Sequence, residues 1–384
     1  MIYFDNSATT ELNETVLEAM LPYLTTNYGN PSSTYKLGQT TRFAIDNSRR
    51  IIAQYINCSP QEIIFTSGGT ESTNLAIKGV AEALAMDHVS GFNPSQVHII
   101  TTKIEHSATL SSIKHLGLIG YQIHFINVDN LGQINVVELE NLLKQITNSK
   151  IIASFHHANS EIGTIQNIDI LVPILKRYNA LVHLDAMQSF KFYDINTPLM
   201  NADLITFAPH KFGGPKGIGA LYIKKGTPII RQSDGGQQEY YLRAGTENVA
   251  GIVGFGKAIE ILKDTKKHNL EYISDLQLYL ETSLHNSFKE IVKFNSIAPN
   301  RMPSITSVSF KNTPADQMLI KLDMNDICVS AGSACNSGSV QISPVLREIL
   351  SNDDALNTIR FSLGPSNTKD EIDEMIDILK QILN

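Results

Sequence analysis

Leu181-Val182-His183-Leu184-Asp185-Ala186-Met187-Gln188, followed by Asp203-Leu204-Ile205-Thr206-Phe207-Ala208-Pro209-His210-Lys211-Phe212-Gly213-Gly214, is the stretch on which the fold turns. Two short apolar runs each lead into a turn that carries chargeable side chains, which is how buried strands of a parallel sheet read. Working outward, similar β-rich runs are predicted at 62–66, 97–102, 122–127, 151–156 and 219–223, beside those at 181–185 and 203–208. Helical spacing lies between several of them, at 74–86 and 168–178. This alternation predicts an α/β domain with a mostly parallel sheet. Ligands of such sheets sit beyond the carboxyl ends of the strands, so the residues just after each run carry the interest.

After about residue 255 the texture changes. A long helical stretch at 259–284 precedes shorter β-like runs at 304–310 and 326–330, and the chain closes with an amphipathic helix. Thr368 and Glu371 form a capping box for that helix, and Ile372, Met375, Ile376, Leu379 and Leu383 line its apolar face. The expected organisation is a large domain over 13–255 and a smaller α+β domain built from 1–12 and 256–384. The Gly91–Ser95 cluster reads as a surface loop.

With 384 residues, 42% hydrophobic and 18% charged, the chain has the balance of a globular protein with ample core. A net charge of −7 without single-sign blocks gives no support to a nucleic-acid surface. No apolar run approaches the roughly 20 residues that span a bilayer, and the start, Met1-Ile2-Tyr3-Phe4-Asp5-Asn6, does not read as a signal peptide. Three cysteines, Cys58, Cys328 and Cys335, cannot all pair with one another. Such usage predicts a reducing cytoplasm.

Several segments carry candidate chemistry. Lys211 lies on a Gly-rich turn and Asp185 at the end of the preceding strand; alone, the first also makes a plain polar turn. Together they are what an enzyme needs to hold pyridoxal 5'-phosphate (PLP): a lysine for the aldehyde carbon and a carboxylate to keep the pyridine nitrogen protonated. Phe65-Thr66-Ser67-Gly68-Gly69-Thr70 joins a strand to a helix and would turn backbone N–H groups toward an anion, although a simple connection has the same letters. No dinucleotide fingerprint or P-loop lysine is present. The polar turn Arg243-Ala244-Gly245-Thr246 is a second phosphate candidate or a solvated loop. His106 follows a strand and would face the strand-end cleft, or else be structural. His156-His157 reads as polar strand-end filler. Arg360, inside an apolar run, is expensive to bury without a carboxylate, and a substrate would supply one. In Ser330-Ala331-Gly332-Ser333-Ala334-Cys335-Asn336-Ser337-Gly338, nearly every residue is small, so Cys335 reads as an exposed, reactive thiol. Cys328 reads as core, and Cys58 has no catalytic company. No cysteine pairing fits a zinc site, and no metal is expected.

Taken together these segments resemble the cysteine desulfurases of the NifS/IscS group, which are fold-type I PLP enzymes. The resemblance runs from Tyr3-Phe4-Asp5-Asn6-Ser7-Ala8-Thr9-Thr10 through Tyr28-Gly29-Asn30-Pro31-Ser32-Ser33 to Ile359-Arg360-Phe361-Ser362-Leu363-Gly364. It implies Lys211 as the lysine bound to PLP, Asp185 on the pyridine nitrogen, Gln188 on the ring hydroxyl and His106 stacked on the ring. Gly69, Thr70 and His210 would hold the phosphate. Thr246 would reach the phosphate of a partner subunit, making a homodimer the functional unit. Asn159 and Arg360 would bind near the ring and the carboxylate of the substrate, L-cysteine. Cys335 would take the sulfur as a persulfide, releasing L-alanine and passing the sulfur to an acceptor protein such as an iron–sulfur scaffold or a thiolation enzyme.

The chain departs from the family at Ala208, where Ser is usual, at Ser160 for a second Asn, at Tyr35 for His and at Gln237 for Gly. These bear on cofactor affinity and rate. Two further readings stand beside the desulfurase: a PLP enzyme for transamination or selenocysteine cleavage, and a degenerate non-catalytic scaffold. The Cys335 loop speaks against transamination, and the presence of Lys211, His106 and Cys335 speaks against the scaffold.

Overall fold

The computed structural model describes residues 1–87, 91–146, 149–332 and 342–383. All seven strands expected between residues 60 and 225 form. They are β1 (Ile63–Thr66), β2 (Val97–Thr102), β3 (Gln122–Ile126), β4 (Lys150–His156), β5 (Leu181–Asp185), β6 (Leu204–Phe207) and β7 (Gly219–Ile223). They make one seven-stranded sheet in the order β1-β7-β6-β5-β4-β2-β3. The pairs from β6 through β3 are parallel, while β7 runs antiparallel to both of its neighbours.

Alternation of side chains explains why this sheet is covered on both faces. Ile63, Phe65, Val182, Leu184, Ile205 and Phe207 enter one core, with Ile45 and Ile52 of the helix Lys36–Tyr55 and Phe255 and Ile259 of the helix Val249–Phe288. Ile64, Val97, Ile99, Ile152, Leu204 and Leu221 enter the other, under Leu75, Ile77 and Val80 of the helix Gly69–Ala85.

A third core belongs to a three-stranded antiparallel sheet, β8 (Val292–Phe294), β9 (Ile305–Phe310) and β10 (Thr358–Ser362). The helix Lys369–Leu383 packs Ile372, Met375, Ile376 and Leu379 into it. Its capping box closes in both directions: the Thr368 amide donates to Glu371 Oε2 at 2.9 Å and the Glu371 amide to Thr368 Oγ1 at 3.3 Å. Ile2 and Phe4 join this core, and Ile2–Tyr3 pairs in parallel with Ile327–Cys328. The 40-residue helix Val249–Phe288 serves both sheets: Ile252 to Leu262 lie in the large core and Ile273 to Phe288 in the small one.

Residues 91–95, read as a loop, give a short strand Gly91–Phe92 paired with Met86–Asp87, then a turn at Pro94–Gln96. Among the described residues no helix is long and apolar enough to cross a membrane.

Candidate active site

The parallel strands end on one cavity of ≈ 410 Å³, within the range of cofactor pockets. Most of the candidate residues come from a strand end or the turn after it. β2 leads to Glu105 and His106, β4 ends at His156 before Asn159, and β5 ends at Asp185 before Gln188. β6 leads to His210 and Lys211, and β10 brings Arg360 across from the small sheet. A larger open groove of ≈ 700 Å³ lies between β3 and the helix Val136–Gln145, but no candidate residue lines it.

Lys211 Nζ donates to the carbonyls of Ser7 and Ala8 at 2.6 and 2.8 Å, so the N-terminal segment fixes the amine at the cavity. The turn after it needs φ of +82° at Gly213, a left-handed conformation that glycine adopts without penalty. Asp185 is 7% exposed and accepts the Met187 amide at 3.0 Å. Burial pushes its carboxyl upward, and His106 opposes that shift. Gln188 donates through Nε2 to the Ser7 carbonyl at 2.9 Å, while its buried Oε1 has no partner among the described residues. His106 caps the helix Ser107–Leu118, its Nδ1 accepting from the Ala108 amide at 3.1 Å, which leaves Nε2 as its donor when neutral.

These groups fit PLP. A buried amide oxygen without a donor is costly, and the phenolic hydroxyl of the cofactor is such a donor. A buried carboxylate with one N–H partner suits a pyridinium. On the phosphate side, Gly69 and Thr70 open the helix Gly69–Ala85 with amides that have no intrahelical acceptor. A Cβ at Gly69 would come within 2.8 Å of Met187 Sδ, so a side chain there would have to push the Met187 thioether aside. His210 holds Thr9 Oγ1 at 3.2 Å through Nδ1, and burial followed by the Lys211 and Lys216 charges takes it down to about 4.

Other predicted residues are placed differently. Arg360 is 3% exposed and already has a carboxylate: its Nη2 donates to Asp5 at 2.5 Å and its Nη1 to the Ser160 carbonyl at 2.9 Å, while Nε is buried without a partner. Asn159 spends its amide on local structure, donating to the Ile104 carbonyl and accepting from the amides of Glu161 and Ile162. Thr246 is exposed and does not line the cavity of its own chain. Ala208 is 1% exposed and is not among the residues lining the cavity. Cys335 lies outside the described residues. Cys328, read as core, is only partly buried. Burial raises both described thiols, Cys58 to about 12, with carboxylates adding to the effect at Cys328.

Sequence reasoning passed over three groups. His156, read as filler, lines the cavity and lies 2.9 Å from Glu105. Asp5 holds Arg360, and its distance along the chain hid the pair. Lys191 is 7% exposed with no carboxylate beside it among the described residues, and burial, then Lys211 and Arg360, pulls it down to about 7.

Comparison with known proteins agrees with this geometry. The family model for class-V aminotransferases matches residues 2–375. The cysteine desulfurase IscS of Dictyoglomus turgidum is 41% identical over 383 residues, covering 100% of this chain and 94% of the relative. The mitosomal cysteine desulfurase of Trachipleistophora hominis is 39% identical, over 97% of this chain and 84% of its own. A solved NifS-like protein superposes with a TM-score of 0.90 at 34% identity, covering 100% of this chain and 99% of that one. SspA, solved in complex with cysteine, gives 0.81 at 32%, over 96% of this chain and 100% of its own.

Proposed function

The chain belongs to the class-V aminotransferase family, among the cysteine desulfurases, and from that premise we propose that it takes the sulfur from free L-cysteine, releasing L-alanine and leaving a persulfide on Cys335. The observation that carries this reading is the meeting of Lys211, Asp185, His106 and Gln188 on one cavity at the strand ends.

Bound there, PLP supplies an electrophilic carbon and a ring that draws electrons from the α and β carbons of an amino acid. Lys211 Nζ is the atom to hold the cofactor covalently and, once released, to take and return the proton at the substrate's α carbon. Asp185 would keep a proton on the ring nitrogen, Gln188 would take the ring hydroxyl, and His106 would be the histidine beside the ring. The amides of Gly69 and Thr70, the Thr70 hydroxyl and His210 hold the phosphate. Arg360, which lines the cavity with Asn159, would meet the substrate carboxylate. Buried walls keep water from the reacting carbon.

Cys335 is the proposed sulfur acceptor. The described residues on either side of its segment both meet Glu161: a Cβ at Gly332 would come within 3.3 Å of Glu161 Oε2, and Ser343 Oγ donates to that oxygen at 2.5 Å. Glu161 lines the cavity wall.

The functional unit is a homodimer in this reading, with Thr246 completing the phosphate site of the other copy. Tyr28, Tyr35, Phe43, Tyr240 and Tyr241 are all about half exposed or more, side chains that a second copy would cover. Glu239, Tyr240 and Tyr241 take left-handed φ of 44°, 54° and 69° in succession, pinned by the buried Arg49–Glu239 pair at 2.6 Å. Backbone strain of this kind persists where surroundings enforce a shape. A cytoplasmic setting and an acceptor protein for the sulfur complete the proposal.

The test is product analysis. The PLP-loaded protein given L-cysteine and a reductant is expected to release alanine and sulfide in equal amounts. A keto acid without sulfide would overturn the reading in favour of transamination.

A further inference from the structure

A carboxylate that must keep a proton on a ring nitrogen has to stay ionised where burial opposes ionisation. What else faces Asp185 therefore decides whether the site works. Its own strand offers His183, bonded to Ser154 and Thr206 and taken by burial down to about 3, hence neutral. β6 places uncharged Thr206 opposite it. From the segment after β2 come His106 and the anion Glu105, and from β4 comes His156.

His156 pairs in register with Asp185 on the adjacent parallel strand, so both side chains leave the same face of the sheet. It is 4% exposed, and its Nδ1 lies 2.9 Å from Glu105 Oε2. The same oxygen accepts the His156 amide at 2.6 Å, and Glu105 Oε1 accepts the Thr102 hydroxyl at 2.7 Å. Behind the ring, Gln166 Nε2 is 3.4 Å from His156 Nε2. Gln166 is itself fixed, its Oε1 accepting the Ile134 amide and its Nε2 donating to the Gly132 carbonyl. An amide nitrogen there favours Nε2 as the acceptor and puts the ring proton on Nδ1, toward Glu105.

We propose that His156 is a positioning residue that ties down the Glu105 charge, so that Asp185 stays ionised as the partner of the ring nitrogen of the bound cofactor. Without it, Glu105 is a second buried anion beside Asp185, and like charges so placed draw a proton onto one of them. The nearest available proton is the one on the ring. The proposal rests on the reading of Asp185 as the partner of that nitrogen.

The experiment uses PLP carrying ¹⁵N in the ring, loaded into the full-length protein and followed by NMR near neutral pH. The wild type is expected to give the signal of a protonated ring nitrogen. In His156→Leu the proton balance should move about tenfold toward Asp185, seen as a shift toward the unprotonated position. Adding Glu105→Gln to His156→Leu should restore the protonated signal, because the anion is gone; loss of mere packing would not be rescued this way. If the leucine variant does not fold, His156→Gln is read in its place, with the same rescue. A protonated signal in His156→Leu, or a shifted one that Glu105→Gln leaves unchanged, overturns the proposal. Asp185→Asn separates the two claims: a signal still protonated there would sink the Asp185 reading itself.

Discussion

Two buried polar clusters in this molecule look alike in composition and behave differently. Beneath the small sheet, Asn295 donates from Nδ2 to Ser309 Oγ at 2.9 Å, Ser309 Oγ meets Thr358 Oγ1 at 2.8 Å, and the Asn295 amide reaches the Ser307 carbonyl at 2.9 Å. The cluster is closed on itself. At the cavity, Gln188 Oε1 and Arg360 Nε are just as buried and find nothing to bond among the described residues, and Asp185 has one amide. Because an unmatched buried polar group costs about 1–3 kcal/mol, the first cluster is stabilising as it stands. The second makes sense only with something bound. Between these two clusters, the unsatisfied groups rather than the polar groups as such mark the cavity.

Lys211→Ala breaks the cavity side of this contrast most severely. Borohydride should fix no cofactor to the chain, and alanine formation should fall by about 10²–10⁴-fold, the range for a lost general base. Cofactor still fixed to the variant would move the assignment, with Lys216 the first alternative.

A matched pair of substitutions sharpens the contrast. Asn295→Leu should lower the stability of the cofactor-free chain by about 1–3 kcal/mol, since it leaves Ser309 and Thr358 short of a partner. It should leave PLP affinity unchanged. Gln188→Leu should do the reverse: PLP affinity, read by equilibrium dialysis, falls about 2- to 12-fold for one lost hydrogen bond of about 0.5–1.5 kcal/mol. Its stability without cofactor should barely move, because an unmatched oxygen goes together with the bond to Ser7. Equal losses of stability in both variants would erase the distinction.

The strand pattern that frames the cavity was legible in the sequence because buried parallel strands are short, apolar and bounded by turns. β2, β5 and β7 have the predicted limits, and the others differ by a residue or so at their ends. Lys211, Asp185, His106 and Gln188 were legible because each follows a strand and matches the family motifs. What stayed hidden were partnerships across long stretches of chain, such as Asp5 with Arg360 and Lys211 with the carbonyls of Ser7 and Ala8. Residue type misled at His156, where two adjacent histidines read as filler and the register of β4 against β5 gives the first a place beside Asp185. It misled again at Lys191, since nothing in the letters Ser189-Phe190-Lys191-Phe192 announces a buried amine.

For Lys191 the sign of the expected effect is fixed by proton linkage. Its ordinary value of 10.5 falls to about 7 in the folded chain. Between those values the unfolded chain holds a proton that the folded chain does not, so stability rises as pH increases through this window. At and below about pH 7, a buried charged amine with no carboxylate beside it among the described residues burdens the fold, its Nζ lying over the Phe192 ring at 5.2 Å. Lys191→Met should flatten the rise and stabilise the chain near pH 7 by about 1–3 kcal/mol, the cost scale of a buried unmatched group. Denaturant melts at several pH values check both statements, and an unchanged slope would show that Lys191 titrates normally.

The central claim, that sulfur leaves cysteine for a thiol of this chain, is tested most directly by peptide mass after reaction with L-cysteine. The prediction is one added sulfur on the peptide carrying Cys335, formed in step with alanine, and none on those carrying Cys58 or Cys328. Cys335→Ser should keep the cofactor's colour and its spectral response to L-cysteine while forming neither persulfide nor alanine at a useful rate, a hydroxyl being a far poorer nucleophile than a thiolate. Persulfide on Cys328 instead, or undiminished alanine release in Cys335→Ser, would contradict the account.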